Sequence, residues 1–197
     1  MALGIACLLV AYSLGSIPTA LLVSRAVAGV DLREIGDANM GARNVFHTLG
    51  WRPALVVAVV DSGKGALSVL LGKGFDLPLE WQLAVGACAV LGHDFPAWAG
   101  FRGGQGFATT VGVLCALMPI EGLSGLVVYG LFYLITRKSD VSAGVGMALL
   151  ATLVEVCGQP RLNLAYTVAL LLCVPAKKVL DLPRRKRIKG DLVTPPR

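Results

Sequence analysis

Gly103, Gly104 and Gly106 stand almost together, directly ahead of an apolar stretch that begins at Thr109. A glycine turn feeding a helix start offers backbone N–H groups and the positive end of the helix dipole to an anion. Phosphate recognition is the chemistry this predicts; the competing reading is a glycine hinge that lets helices approach. The turn is not a P-loop, since GxxxxGK[ST] is absent. It is not a dinucleotide fingerprint either, since no strand precedes it and GxGxxG fails after Gly106. His93, beside Asp94, lies about ten residues before the turn. A second polar segment, Asp31 to Gly50, is rich in Gly, Asn and charge. Such residues permit left-handed backbone and can present amides to an anion. Asp61 and Lys64 lie three apart in an apolar stretch and share a helix face, either as an internal ion pair or as substrate contacts. The two histidines have no acidic cluster around them, so no metal and no cofactor is expected.

The elements that must position these groups are membrane helices. Of 197 residues, 55% are hydrophobic and 15% charged, and the mean hydropathy is +0.72. A water-soluble domain carries about 25% charged residues. The apolar excess is spread along the chain, which excludes a soluble domain with a single anchor. The fold class is all-α, a polytopic integral membrane protein. Seven runs qualify as spans or partial spans: 2–28, 53–71, 81–98, 109–119, 122–136, 142–157 and 162–174. The first has neither a basic start nor a clear cleavage site and reads as a retained helix. With the N-terminus outside, fifteen of the eighteen Lys and Arg fall on the inside, and only Lys73 and Arg161 in outside loops. The C-terminus is then cytoplasmic.

Residues 1–176 form a single transmembrane domain and 177–197 a basic cytoplasmic tail. The run from Arg184 to Lys189 reads as an anchor to anionic lipid. Nucleic acid is not an expected partner, because the tail adjoins a span and lacks aromatic residues. The five cysteines sit in apolar runs without CxxC spacing and read as buried, reduced thiols. No internal repeat is apparent, which weighs against an inverted-repeat transporter.

At its polar segments the sequence resembles the bacterial acyl-phosphate:glycerol-3-phosphate acyltransferases, the PlsY family, over roughly residues 8 to 145. Gly15-Ser16-Ile17-Pro18 matches in the first run. The family's G-S-G-N-x-G-A-T-N-x-x-R-x-x-G corresponds to Gly36 through Gly50, and its D-x-x-K-G to Asp61 through Gly65. Its G-H-x-F-P and F-K-G-G-K-G-x-A-T correspond to Gly92–Pro96 and Phe101–Thr109. The resemblance implies a multi-pass enzyme of the bacterial plasma membrane, with its active site at the cytoplasmic face. It would move a fatty acyl group from acyl phosphate to the 1-hydroxyl of glycerol 3-phosphate, giving lysophosphatidate and phosphate, without a covalent intermediate. The resemblance implies substrate binding by Asp37, Asn39, Gly41, Arg43, Asn44, His47, Lys64, Arg102, Gly103, Gly104, Gln105, Gly106, Thr109 and Ser142, and a catalytic role for His93. These groups are expected to line one cytoplasmic cavity.

The chain departs from the family pattern at Gln105 for lysine, His47 for arginine, Asp37 for serine and Arg43 for threonine. The family's C-terminal R-H-x-x-N-I is not recognisable in Lys177–Leu182. Two cations are lost, a carboxylate appears and one arginine, Arg43, is gained, so weak acceptor binding and slow transfer are expected. Two other readings stand beside the enzyme: a relative that binds acyl phosphate or phospholipid without activity, and a transporter. Acyl-chain length and oligomeric state are left open.

Overall fold

The structure is a computed structural model and describes residues 1–183, 185 and 186. Among the described residues the chain forms helices and no strand. These are α1 (Ala2–Gly15), α2 (Thr19–Ala28), α3 (Ala42–Leu49), α4 (Trp51–Gly74), α5 (Leu79–Asp94), α6 (Phe107–Leu117), α7 (Pro119–Thr136), α8 (Ser139–Val156) and α9 (Arg161–Leu180), with a 3-10 turn at Ala97–Ala99. Five stretches are long and apolar enough to cross a membrane: α1 with α2, α4, α7, α8 and α9. α5 has 16 residues and α6 has 11, so at 1.5 Å per residue they reach about 24 and 17 Å, short of the hydrocarbon thickness.

Two expectations about the elements change. The first apolar run is two helices, because Pro18 supplies no N–H and disfavours helical backbone at Ile17. The segment from Asp31 to Gly50 is not all loop, since its second half is α3. That helix starts from extended backbone at Gly41 and turns Asn44 and Val45 inward.

Close crossings hold the bundle together. A Cβ on Gly15 would strike the Ala89 carbonyl, joining α1 to α5. Cβ atoms on Gly65 and Gly112 would strike the carbonyls of Thr109 and Ser62, joining α4 to α6. Gly125 and Gly146 do the same for α7 and α8. Between lipid-exposed helices there is no hydrophobic drive to associate, so close backbone approach and dispersion contacts do this work. Ile120, Ile135, Leu134 and Leu172 are largely exposed, as suits an apolar surface that meets acyl chains. For the same reason Cys157 and Cys173 are exposed rather than buried, while Cys7 is buried. α9 continues through residue 177 without a break.

Candidate active site

The glycine turn and the first polar segment meet. A Cβ on Gly104 would overlap His93 Nε2 and approach the Met40 carbonyl. The Gly104 N–H donates to the His93 carbonyl at 3.1 Å. A Cβ on Gly103 would fall on the His93 and Asp94 carbonyls, and Gly106 takes left-handed backbone (φ 69°) to start α6. The turn is therefore folded tightly onto the end of α5. The Arg33 guanidinium donates to the Ala99 carbonyl and fastens the two polar segments together from the other side.

Next to the turn sits a buried cluster of Asp61, Lys64 and His93. Lys64 Nζ lies 2.9 Å from Asp61 Oδ1, and His93 Nδ1 lies 3.6 Å from the same oxygen. Lys64 also donates to the Ile17 carbonyl, so the break before Pro18 supplies an acceptor to the site. His93 has Asp61 on one ring nitrogen and the glycine turn on the other, which fixes the ring rather than leaving it open.

The first segment uses its polar groups internally. Asn44 is buried; its Nδ2 donates to the carbonyls of Leu32, Ile35 and Asn39, and its Oδ1 accepts the Asp37 N–H. Direct substrate contact by Asn44 is thus replaced by a positioning role. Asp31 binds Arg33 through both carboxylate oxygens and Arg25 through one. The Arg33 guanidinium holds the Asp31 carboxyl well below the usual carboxylate range.

A different set of polar atoms has no internal partner. Ser16 Oγ, Asn39 Oδ1, Asp94 Oδ1, Gln105 Nε2 and Thr109 Oγ1 are buried without a hydrogen-bond partner among the described residues. Buried polar atoms are nearly always satisfied, and three of these, on Asp94, Gln105 and Thr109, belong to the turn and its flanks, where a polar ligand would satisfy them. Arg102 is exposed beside this turn.

Several charged residues pair with partners that lie far away in the sequence. Asp37 is paired with Arg185 at 2.7 Å. Arg43 and Lys178 both reach Asp140, at 3.2 and 2.7 Å. Lys177 is buried, bound to Asp181 at 2.7 Å and 5.0 Å from the centre of the Phe95 ring. Through these pairs the C-terminal stretch packs against Phe95 and the first polar segment. Of the expected residues, Asn39, His93, Gly103, Gly104, Gln105, Gly106 and Thr109 lie together. Gly41 supports Asn39, whose Nδ2 would touch a Cβ there at 3.0 Å. His47 is exposed, edge-on to the Phe46 ring. The Ser142 hydroxyl closes the α7–α8 turn through the Lys138 carbonyl and the Thr136 hydroxyl. Ser16, Asp94, Lys177 and Arg185 were missed. Ser16 carried one signal, a hydroxyl before Ile-Pro within an apolar run.

An apolar cleft lies between α6, α7 and α8, lined by Val111, Leu114, Leu126, Met147 and Leu150. Its lining begins at Phe107, the residue after Gly106, and includes Tyr129, whose ring is 5.3 Å from that of Phe107.

The profile of the glycerol-3-phosphate acyltransferase family matches residues 5–181. The chain belongs to this family. It is 40% identical over 167 residues to glycerol-3-phosphate acyltransferase 1 of Deinococcus radiodurans, covering 83% of this chain and 84% of that one. It is 40% identical over 168 residues to glycerol-3-phosphate acyltransferase of Thermus thermophilus, covering 84% and 83%. Its fold superposes on the crystal structure of PlsY (YgiH), an integral membrane glycerol 3-phosphate acyltransferase, in its glycerol 3-phosphate form. The TM-score is 0.83 at 28% identity, over 92% of this chain and 90% of that one. The lysophosphatidic acid form of PlsY gives a TM-score of 0.81 at 27% identity. Family membership accounts for the order of the matched segments.

Proposed function

We propose that this protein transfers a fatty acyl group from acyl phosphate to the 1-hydroxyl of glycerol 3-phosphate, releasing lysophosphatidate and inorganic phosphate. It is a membrane acyltransferase of phospholipid synthesis. The observation that carries the reading is the glycine turn: it heads α6, is surrounded by buried polar atoms without internal partners, and opens beside an apolar cleft. One end of the site suits phosphate and the other suits an acyl chain.

The 1-hydroxyl attacks the acyl carbonyl carbon. The new ester bond forms, the bond from that carbon to the phosphate oxygen breaks, and the hydroxyl proton leaves to the released phosphate or to solvent. An acyl phosphate is already activated, so holding both substrates in register and stabilising developing charge suffices without a nucleophilic side chain. The N–H groups at the start of α6, with Gln105 Nε2 and the Thr109 hydroxyl, donate to phosphate oxygens, Asn39 Oδ1 accepts from a glycerol hydroxyl, and Arg102 adds a cation. The buried Lys64 acts through its pair with Asp61. Arg43, His47 and Ser142, engaged with Asp140, Phe46 and the α7–α8 turn, are given no step in the transfer. His93 orients the turn from its seat on Asp61. The bilayer is the plasma membrane of a bacterium, crossed seven times, with the turn and the basic residues at the cytoplasmic face. Residues 1–176 supply the glycine turn and the apolar cleft, and the stretch from Lys177 to Arg185 packs onto them. Of the basic run proposed as a lipid anchor, Arg184 and 187–189 lie outside the described residues, and Arg185 faces Asp37 instead of lipid.

The test is turnover by purified protein supplied with acyl phosphate and glycerol 3-phosphate, following lysophosphatidate and phosphate together. Stoichiometric appearance of both is expected. Binding of either substrate without turnover would identify a non-enzymatic relative. Flux of substrate across a sealed bilayer without chemistry would identify a transporter.

A further inference from the structure

The structure assigns Arg185 as a specificity-determining residue for the phosphate-bearing acceptor, held in place by Asp37. The assignment rests on the acyltransferase reading only for the identity of the ligand. Asp37 stands where the family pattern has serine, and taken alone it places a carboxylate next to a phosphate site. The geometry gives that carboxylate a different task. Its backbone N–H is held by Asn44 Oδ1, and its Oδ1 accepts the Asn39 N–H at 3.3 Å. Its Oδ2 takes Arg185 Nη2 at 2.7 Å. A carboxylate fixed by its own loop is a rigid mount for a guanidinium, whose planar fork can serve a carboxylate and a phosphate together.

The mount is at the right place. Two residues on, Asn39 has a buried oxygen without a partner, and three residues on, the Met40 carbonyl faces Gly104. Contacts at both ends of the stretch from Lys177 to Arg185 hold Arg185 near the end of α5 and the first segment. Lys177 lies over the Phe95 ring, Asp181 accepts Lys177, and the Arg185 N–H donates to the Asp181 carbonyl. Arg185 is only 17% exposed in its side chain, unlike a solvated surface arginine. The pair removes the repulsion that an isolated Asp37 would exert, and it brings N–H donors to a site with the neutral Gln105 in its turn.

The test measures binding of glycerol 3-phosphate to the purified full chain by calorimetry, with turnover measured separately. Arg185→Gln is expected to weaken binding about tenfold, the loss of roughly one charged hydrogen bond. Arg185→Lys should fall between. The double variant Asp37→Asn with Arg185→Gln keeps a neutral hydrogen bond and so preserves a merely structural contact; it is expected to bind as weakly as Arg185→Gln. Natural-strength binding by either Gln-bearing variant would overturn the assignment, as would failure of the natural protein to bind glycerol 3-phosphate. Should Arg185→Gln not fold, the double variant and Arg185→Lys decide the matter by the same criterion. Natural protein that binds the acceptor but never transfers an acyl group would defeat the enzymatic reading and leave the Arg185 assignment standing.

Discussion

The segment from Asp31 to Gly50 satisfies most of its polar groups within itself, whereas the turn from His93 to Thr109 leaves several without a protein partner. In the first, one buried asparagine ties four backbone groups and one aspartate binds two arginines. In the second, Asp94 Oδ1, Gln105 Nε2 and Thr109 Oγ1 have none. Both are polar and rich in glycine or asparagine, so composition does not separate them. The first is a scaffold that presents Asn39, Met40 and Asp37; the second is the surface being presented to. Substitutions in the scaffold should therefore register first as stability, and substitutions in the turn first as binding.

The largest effect is expected for Asn44→Ala. It leaves the Asp37 N–H and three carbonyls without their common partner, and each orphaned buried group costs roughly 1–3 kcal/mol. Thermal unfolding in detergent should show a loss of about 3 kcal/mol or more. A variant of natural stability that has lost only acceptor binding would make Asn44 a ligand and erase the contrast between the segments.

Gly104→Val sharpens the comparison at the point where the segments touch. The added Cβ meets His93 and the Met40 carbonyl before it meets any substrate, so folding as well as activity should suffer, by about 1–3 kcal/mol for an overpacked contact. Gly104→Ala adds the same Cβ and should lose nearly as much. If the valine variant folds normally and loses only phosphate binding, the turn yields to the side chain and the exclusion comes from the ligand.

Gln105→Lys tests the turn without touching the scaffold. A charged donor in place of a neutral one should lower KM for glycerol 3-phosphate about tenfold at unchanged melting temperature. Adding Asp37→Ser should cancel part of that gain, because Arg185 loses its mount. An additive gain from the serine would instead mean that Asp37 repels the substrate.

Asp31→Asn should have the smallest effect. The Asp31 pKa is lowered in the folded protein, so its contribution is complete above the ordinary carboxylate pKa and fades as pH falls toward the folded value. With Arg25 more than half exposed, the stability difference should be at most about 1 kcal/mol, equal at pH 7 and 5.5, and smaller at pH 3. A difference that grows on acidification would contradict the pairing with Arg33 and Arg25.

The sequence by itself determined the membrane class, the family, the apolar stretches and the glycine turn ahead of α6. Each depends on local pattern: hydropathy over a helix length, or a run of residues fixed in order. The break at Pro18 was also legible locally, since proline removes a donor wherever it stands, although the apolar run hid it. Tertiary structure alone decided which charges meet. Asp37 and Arg185 are 148 positions apart, and Arg43 and Asp140 are 97 apart. No periodicity links such residues, so Asp37 read as repulsion and Arg43 as an isolated replacement. The same holds for Asn44, whose amide suits a phosphate or a backbone equally well; the return of the chain from Gly36 to α3 assigns it to the backbone. Electrostatic partnership is set by distance in space, which the folded bundle fixes and the order of residues does not.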